Sequence, residues 1–371
     1  MKFKCAKTDL TQSIQTVSKA VSVKNQNPIL SGIYIKAEND ILELQATDYE
    51  VGIIAQIPAQ IEEPGQIVLP GKYLQEVVKK LPGVNVEIEF NSQDKNAHIR
   101  SNKANFTLHS MSAEDFPIIN RINGDFNFKI MDNVLHELIY RTTFACSTEE
   151  ARPVFTGCLL EINDSLVTMV ATDIKRLAVN SKNIEGVEGK RNMIIPAKIL
   201  NELQRLLNSD TPREVNIKYN SNQVSFELDN TYIASRIIDG QFPDYNKVIP
   251  SSFKTRIKVN TEEFRSVVDR IALISRTNEY KIAKMEFGAG MVRITSNNPE
   301  IGQADETMTA EIDGEDITIS FNVDFIYDAL KIIDTKEFYI CLNDTLRPAA
   351  IRMMDDDSFT YVITPVRNND I

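Results

Sequence analysis

The stretch Ala171-Thr172-Asp173-Ile174-Lys175-Arg176-Leu177 follows the apolar run Leu166-Val167-Thr168-Met169-Val170, and it has copies. A shift of 125 positions places Ala46-Thr47-Asp48 on Ala171-Thr172-Asp173, Pro28 on Pro153 and Gly32 on Gly157. Residues 28–48 and 153–173 align without a gap, with five identities in 21 positions. A second shift of 125 brings Ala46-Thr47-Asp48-Tyr49-Glu50 onto Ser296-Asn297-Asn298-Pro299-Glu300, where only the Glu is kept. The chain reads as a threefold repeat.

Secondary-structure signals recur with it. Each repeat opens on a short alternating strand: Phe3 and Cys5, then Phe126, Phe128 and Ile130, then Ile257 and Val259. An amphipathic helix follows, capped by Thr8 or Asp9, by Asp132 or Asn133, and by Asn260 or Thr261. Its third copy is expected to bury Phe264, Val267, Val268, Ile271 and Ile274. Hairpins turn at Glu38-Asn39-Asp40, Asn163-Asp164-Ser165 and Gly288-Ala289-Gly290. A second helix begins near Pro70, Pro196 and Asn322, and paired strands such as Val84–Phe90 with Ala104–His109 end each unit. Loops with Phe116-Pro117 and Phe242-Pro243 close the first two units, and Thr364-Pro365 closes the third. The expected domains are 1–122, 126–249 and 252–371, each an α+β unit of antiparallel sheet backed by two helices. A repeat of this length is a domain with its own core and not a solenoid unit.

The sequence has 371 residues, of which 42% are hydrophobic and 25% charged, which suits a soluble globular protein of two or three domains. No apolar run approaches the ~18 residues of a membrane span, and no signal peptide is evident, so a cytoplasmic location is expected. Cys5, Cys146, Cys158 and Cys341 lack CxxC spacing and read as reduced core thiols.

There is no P-loop, GxGxxG, HExxH or GxSxG. His98, His109 and His136 are isolated, and Asp355-Asp356-Asp357 reads as an acidic hairpin turn in preference to a magnesium site. Asp48 and Asp173 are repeated, but an Asp ending a strand in Ala-Thr-Asp is expected to bond its own turn backbone. A binding protein without catalysis, metal or cofactor is the expectation. The net charge of −11 argues against a uniformly basic surface. The cations nevertheless cluster on the helices: Lys24 at the end of the first, Lys72 and Lys79 on the second, Arg141 and Arg152 on the first helix of repeat two and its following loop, Lys198 and Arg205 on that repeat's second helix. Helices gathered on one side would present phosphate-seeking charge without reading bases.

The motifs Pro28-Ile29-Leu30-Ser31-Gly32, Ala171 to Val179, Asp239-Gly240-Gln241-Phe242-Pro243-Asp244-Tyr245, Ser296 to Glu300, Phe321-Asn322-Val323 and Pro365-Val366-Arg367 together resemble the bacterial DNA polymerase III beta subunits, the sliding clamps. The resemblance covers essentially the whole chain. It implies a DNA clamp fold: a head-to-tail homodimeric ring around duplex DNA, with sequence-independent contacts and no catalysis. Phe106 and Leu108 would meet Leu273 and Ile274 at the dimer interface. It also implies a pocket for short linear motifs of the DNA polymerase III alpha subunit, the clamp loader, other polymerases and repair proteins. The matching positions are Thr172, Ile174, Lys175, Arg176, Leu177, Pro243, Lys247, Val248, Asn322, Phe325, Leu346, Val362, Ile363, Thr364, Pro365, Val366 and Arg367, with Arg176 and Arg367 at the rim. Ile174-Lys175 departs from the family's frequent Gly-His or Ser-His, and four residues follow Arg367. The alternative is a non-ring DNA- or peptide-binding scaffold of repeated domains.

Overall fold

The computed structural model describes residues 1–22, 27–91, 93, 95–207, 211–277 and 281–366, so Lys24 and Arg367 lie outside the described residues. The chain divides into two compact units, Met1–Asp132 with Arg205–Ile237 and Asn133–Gln204 with Ile238–Ile371. The division cuts through repeat two, and strand pairing explains why.

The first unit holds two antiparallel sheets. One has the order Gln60–Glu63, Lys2–Ala6, Asn85–Asn91, Asn96–Ser101, Ala104–His109. The strand Asn96–Ser101 therefore separates two strands that the sequence pairs directly, and Val84 is exposed outside them. The other sheet joins strands of two repeats. Phe126–Met131, Glu214–Tyr219, Gln223–Leu228 and Thr231–Arg236 come from repeat two; Val51–Pro58, Ile41–Thr47, Gly32–Glu38 and Gly65–Pro70 continue it from repeat one. The seam is antiparallel, with Tyr232 opposite Ile54 and Ser235 opposite Val51. Helices α1 (Lys7–Val17) and α2 (Gly71–Lys80) pack on each other. Helix α1 buries Leu10, Ile14 and Val17 at helical spacing against the hairpin Ile41–Thr47 and Val51–Pro58. Its cap position is Ala6, without a side-chain cap, so Thr8 and Asp9 lie inside the first turn. Burial of three aliphatic side chains at ~1.5–3 kcal/mol each outweighs a cap of ~1 kcal/mol, and the core sets the start of the helix.

The second unit repeats the plan. Lys190–Pro196, Gly157–Asn163, Leu166–Thr172 and Arg176–Asn183 are joined to Asp356–Ile363, Ala349–Met353, Glu337–Leu342, Thr255–Asn260 and Glu311–Asp313 in one nine-stranded sheet. A separate sheet has the order Gly302–Thr309, Met291–Asn298, Ile282–Gly288, Ile317–Asn322. Helix α3 (Asp132–Tyr140) starts at Asp132, and α4 (Ala197–Gln204) buries Ile199, Leu200 and Leu203. Asn260 caps α5 (Thr261–Ser275) by accepting the Glu263 N–H at 3.0 Å. That helix buries Phe264, Val267, Val268, Ile271 and Ala272, while Ile274 is only half-buried and Leu273 is 71% exposed. Asn322 caps α6 (Val323–Ile332) through the Asp324 N–H. The hairpins turn where expected, with Asn39, Asp164 and Ala289 in the left-handed region.

Candidate functional site

The turn Thr172–Arg176 is held by its own side chains. Thr172 Oγ1 donates to the Arg176 carbonyl at 2.6 Å and accepts the Ile174 N–H at 3.0 Å. Asp173 Oδ1 accepts the N–H groups of Lys175 and Arg176, both at 3.0 Å. Thr47 and Asp48 make the same four bonds one repeat earlier, and Asn298 Oδ1 accepts from Glu300 and Ile301 in the third copy. The repeated Asp is thus a turn former, as its position ending a strand foretells. The geometry forces a left-handed residue at Ile174 (φ 81°) and Tyr49 (φ 74°), and Ile174 is left 52% exposed.

Beyond the turn the chain enters the seam, with Arg176 opposite Ile363 and Leu177 opposite Val362. Leu177 is 3% exposed and packs with Leu159, Val170, Val179, Ile194 and Val362. Above this cluster lies a cavity of about 340 Å3. The turn supplies Thr172, Ile174, Lys175, Arg176 and Leu177; the loop after Ile238 supplies Phe242, Pro243, Asp244, Tyr245 and Val248; Val362 and Thr364 close one side, Arg152 and Phe155 another. Thr364 donates its N–H and its hydroxyl to the Lys175 carbonyl, at 2.9 and 2.7 Å, and so pins the strand end to the turn. Tyr245 donates its hydroxyl to Glu161 at 2.7 Å; burial and that carboxylate push its phenol above the usual range, so it stays neutral.

Arg176 is not the rim cation expected. Its guanidinium donates to Asp173 at 2.9 Å, to Asp328 at 2.8 Å and to the Phe144 carbonyl at 2.9 Å, and it lies 4.5 Å from the Phe325 ring centroid. Burial opposes its charge, and Tyr361, Asp328 and Asp173 more than restore it. It is a cross-link in the cavity wall. Ile363 is fully buried, and Asn322 serves as a helix cap. Phe325, Pro365 and Val366 are half-buried outside the cavity lining, Lys247 pairs with Asp244, and Leu346 is 65% exposed on a turn of its own. Phe155, Phe242, Asp244 and Tyr245 are lining residues absent from the sequence reading of the pocket.

The expected phosphate contacts also divide. Lys72 and Lys79 on α2, Lys198 on α4 and Arg205 just after it are exposed. Arg152 is exposed but lines the cavity. Arg141 is buried among carboxylates, 2.7 Å from Glu137, 2.7 Å from Asp356 and 3.6 Å from Asp334, so its charge is consumed inside the fold and it is no phosphate ligand. The same contact gives Asp356 a structural use in the acidic turn. Among the described residues no three His, Cys, Asp or Glu side chains gather into a metal site, and no helix is long and apolar enough to cross a membrane.

Antiparallel repeats whose sheets are sewn edge to edge, with an apolar cleft at a seam, define a DNA clamp. Models of the DNA polymerase III beta subunit match residues 1–120 (N-terminal domain), 129–244 (central domain) and 246–367 (C-terminal domain). The beta sliding clamp of Bacillus subtilis is 37% identical over 378 residues, covering 99% of this chain and 100% of that protein. The clamp of Staphylococcus epidermidis is 33% identical, with 99% of both chains covered. The crystal structure of the Bacillus subtilis clamp superposes with a TM-score of 0.94 at 36% identity, covering 99% of both chains. That of the Pseudomonas aeruginosa beta subunit gives 0.93 at 30%, covering 99% and 100%. The chain belongs to the DNA polymerase III beta subunit family, the sliding clamps. Its function is that of a non-catalytic processivity factor in DNA replication, a partner of DNA and of polymerase.

Proposed function

We propose that two copies of the chain join head to tail into a ring around duplex DNA and tether the replicative polymerase there, in the cytoplasm. One observation carries the closure. The last strand of repeat two, Thr231–Arg236, pairs with Val51–Pro58 of repeat one, and the last strand of repeat three, Asp356–Ile363, pairs with Arg176–Asn183 of repeat two. The same rule leaves Ala104–His109 of repeat one and Gly302–Thr309 of repeat three, each an edge of its sheet. Pairing these between two chains, twice by symmetry, removes both exposed edges. Phe106, 43% exposed, lies on the first edge with Leu108. Leu273 and Ile274 lie on α5, the helix that packs beneath the second.

In this reading Lys72, Lys79, Lys198 and Arg205 meet phosphates, with Lys24 assigned by its place in the sequence alone. Such contacts are weak and sequence-independent, which permits sliding. The cavity at Thr172–Leu177 takes the apolar side chains of short linear motifs from the polymerase III alpha subunit, the clamp loader, and other polymerases and repair proteins. The test is topological. Protein loaded on nicked circular DNA should be retained through gel filtration and lost once the circle is cut. Equal retention on circle and line overturns the ring.

A further inference from the structure

The cavity wall formed by Arg152 and Phe155 belongs to a segment with a thiol at each end. Cys146 precedes it, Cys158 follows it, and their Sγ atoms lie 3.5 Å apart. Twelve positions of sequence separate these two residues, which composition alone presents as scattered. Cys158 is fully buried on the strand Gly157–Asn163, opposite Ile195. Cys146 is half-buried, just after the short turn Thr143–Ala145. A disulfide requires sulfurs ~2.05 Å apart, so about 1.5 Å of approach completes one. The sheet fixes Cys158, and the movement falls to Cys146. That residue sits between two supports of the cavity: the Phe144 carbonyl accepts from Arg176, and the Ser147 N–H donates to the Phe155 carbonyl at 2.8 Å.

We propose that Cys146 and Cys158 are an oxidisable pair whose disulfide weakens peptide capture by the adjoining cavity; the second half rests on the peptide-binding reading above. The co-reactant is a small-molecule disulfide such as oxidised glutathione. The Cys146 thiolate attacks one of its sulfurs and expels a small thiolate, leaving a mixed disulfide. Cys158 then gives up its proton and attacks the Cys146 sulfur, expelling the second small thiolate. Two protein thiols lose two electrons, and one small disulfide gains them. Burial and the neighbouring Cys146 push the Cys158 thiol well above its ordinary range, which leaves the first attack to the more accessible Cys146.

The test uses the whole chain, treated with oxidised glutathione or with dithiothreitol, then digested and mapped by mass spectrometry. A Cys146–Cys158 cross-linked fragment is expected, absent from Cys146→Ala and Cys158→Ala. A glutathione adduct resting on Cys146, or no reaction, overturns the pair. Calorimetry with a synthetic peptide containing Gln and a Leu-Phe pair should show oxidised protein binding at least about threefold more weakly than reduced, through a displaced cavity wall. Dithiothreitol should restore the affinity, and Cys146→Ala should ignore the oxidant. Equal affinity in cross-linked and reduced protein overturns the coupling. Reduced protein that binds no peptide overturns the cavity reading and the coupled half with it, while a mapped disulfide still supports the pair.

Discussion

The turns Thr47–Val51 and Thr172–Arg176 share four side-chain hydrogen bonds and one left-handed residue, yet they stand beside different seams. At the first seam the segment Phe116 to Ile122 folds down. Ile122 is 6% exposed and packs with Ile54, Tyr232 and Ala234, its N–H donating to the Tyr232 hydroxyl at 2.8 Å, while the Ile119 N–H donates to Gln45. At the second seam the matching segment is Phe242 to Val248, and Val248 remains 45% exposed over an open cavity. Phe, Pro and Asn are common to both loops; Ile118, Ile119, Arg121 and Ile122 become Asp244, Tyr245, Lys247 and Val248. One device thus exists in a closed and an open copy: the turn keeps its hydrogen-bond pattern in both, and the loop over it is apolar and packed down in the first but polar and raised in the second.

The largest expected effect concerns the seam that a single chain does not make. Leu273→Ala with Ile274→Ala should give folded monomers, and a double variant still dimeric at nanomolar concentration in sedimentation would break the analogy with the two internal seams. Next comes conversion of the open loop to the closed one, Asp244→Ile, Tyr245→Ile, Lys247→Arg and Val248→Ile together. Peptide affinity should fall at least about tenfold by calorimetry, since a filled cleft has no room for an anchor. Unchanged affinity would place the site elsewhere.

The strand Asp356–Ile363 of the second seam begins at a buried ion pair with Arg141. Arg141→Ala should destabilise the chain by about 2–3 kcal/mol in denaturant titration, below the loss for a fully buried pair because Glu137 and Asp334 keep contact with water. Burial opposes ionisation of Asp356, but hydrogen bonds from Ser358 and Arg141 outweigh it and hold the carboxyl below its usual range. A lowered folded pKa means that its stabilisation is present above the unfolded value of ~3.9 and is lost as pH falls through the folded one. The wild-type chain should therefore lose stability more steeply below about pH 4 than Arg141→Ala, and parallel curves would refute the assignment.

Smaller effects separate the turns themselves. Asp48→Ala removes an acceptor for two backbone N–H groups and should cost about 1 kcal/mol; Asp173→Ala also strips Arg176 of a partner and should cost about 2 kcal/mol. Equal costs in thermal unfolding would mean that the Arg176 cross-link carries no weight. Smallest of all, Tyr49→Gly and Ile174→Gly should each stabilise by about 0.5 kcal/mol, the relief of left-handed strain less the added chain entropy. Only Ile174→Gly should weaken the peptide, because only Ile174 lines the cavity.

What the sequence revealed follows the reach of the interactions. The hairpins, the helix faces and the self-bonded Thr-Asp turns depend on neighbours a few residues away, and their signals are local. The seams do not: Thr231 meets Ala55 and Arg176 meets Ile363, pairings that no periodicity announces. Arg176 and Leu177 open a strand at the second seam, which makes the expected rim cation a wall residue and buries Leu177. Arg141 shows the same limit: Glu137 is four positions away, but its other close carboxylate, Asp356, lies 215 positions away. The aromatic lining had a usable signal. Phe116-Pro117 and Phe242-Pro243 are a duplicated pair followed by diverging residues, and that divergence marks the open cleft.

The seams carry a consequence for how the chain is made. Val51–Pro58 cannot find its partner until Thr231–Arg236 has been synthesised, and Arg176–Asn183 must wait for Asp356–Ile363. At roughly 5–20 residues per second, each wait of nearly two hundred residues lasts on the order of 10–40 s. During that interval an apolar strand edge faces the crowded neighbourhood of the ribosome, where other nascent chains offer it the wrong partner. Slow translation between the two halves of a seam should therefore lower the yield of folded protein more than slow translation inside a hairpin.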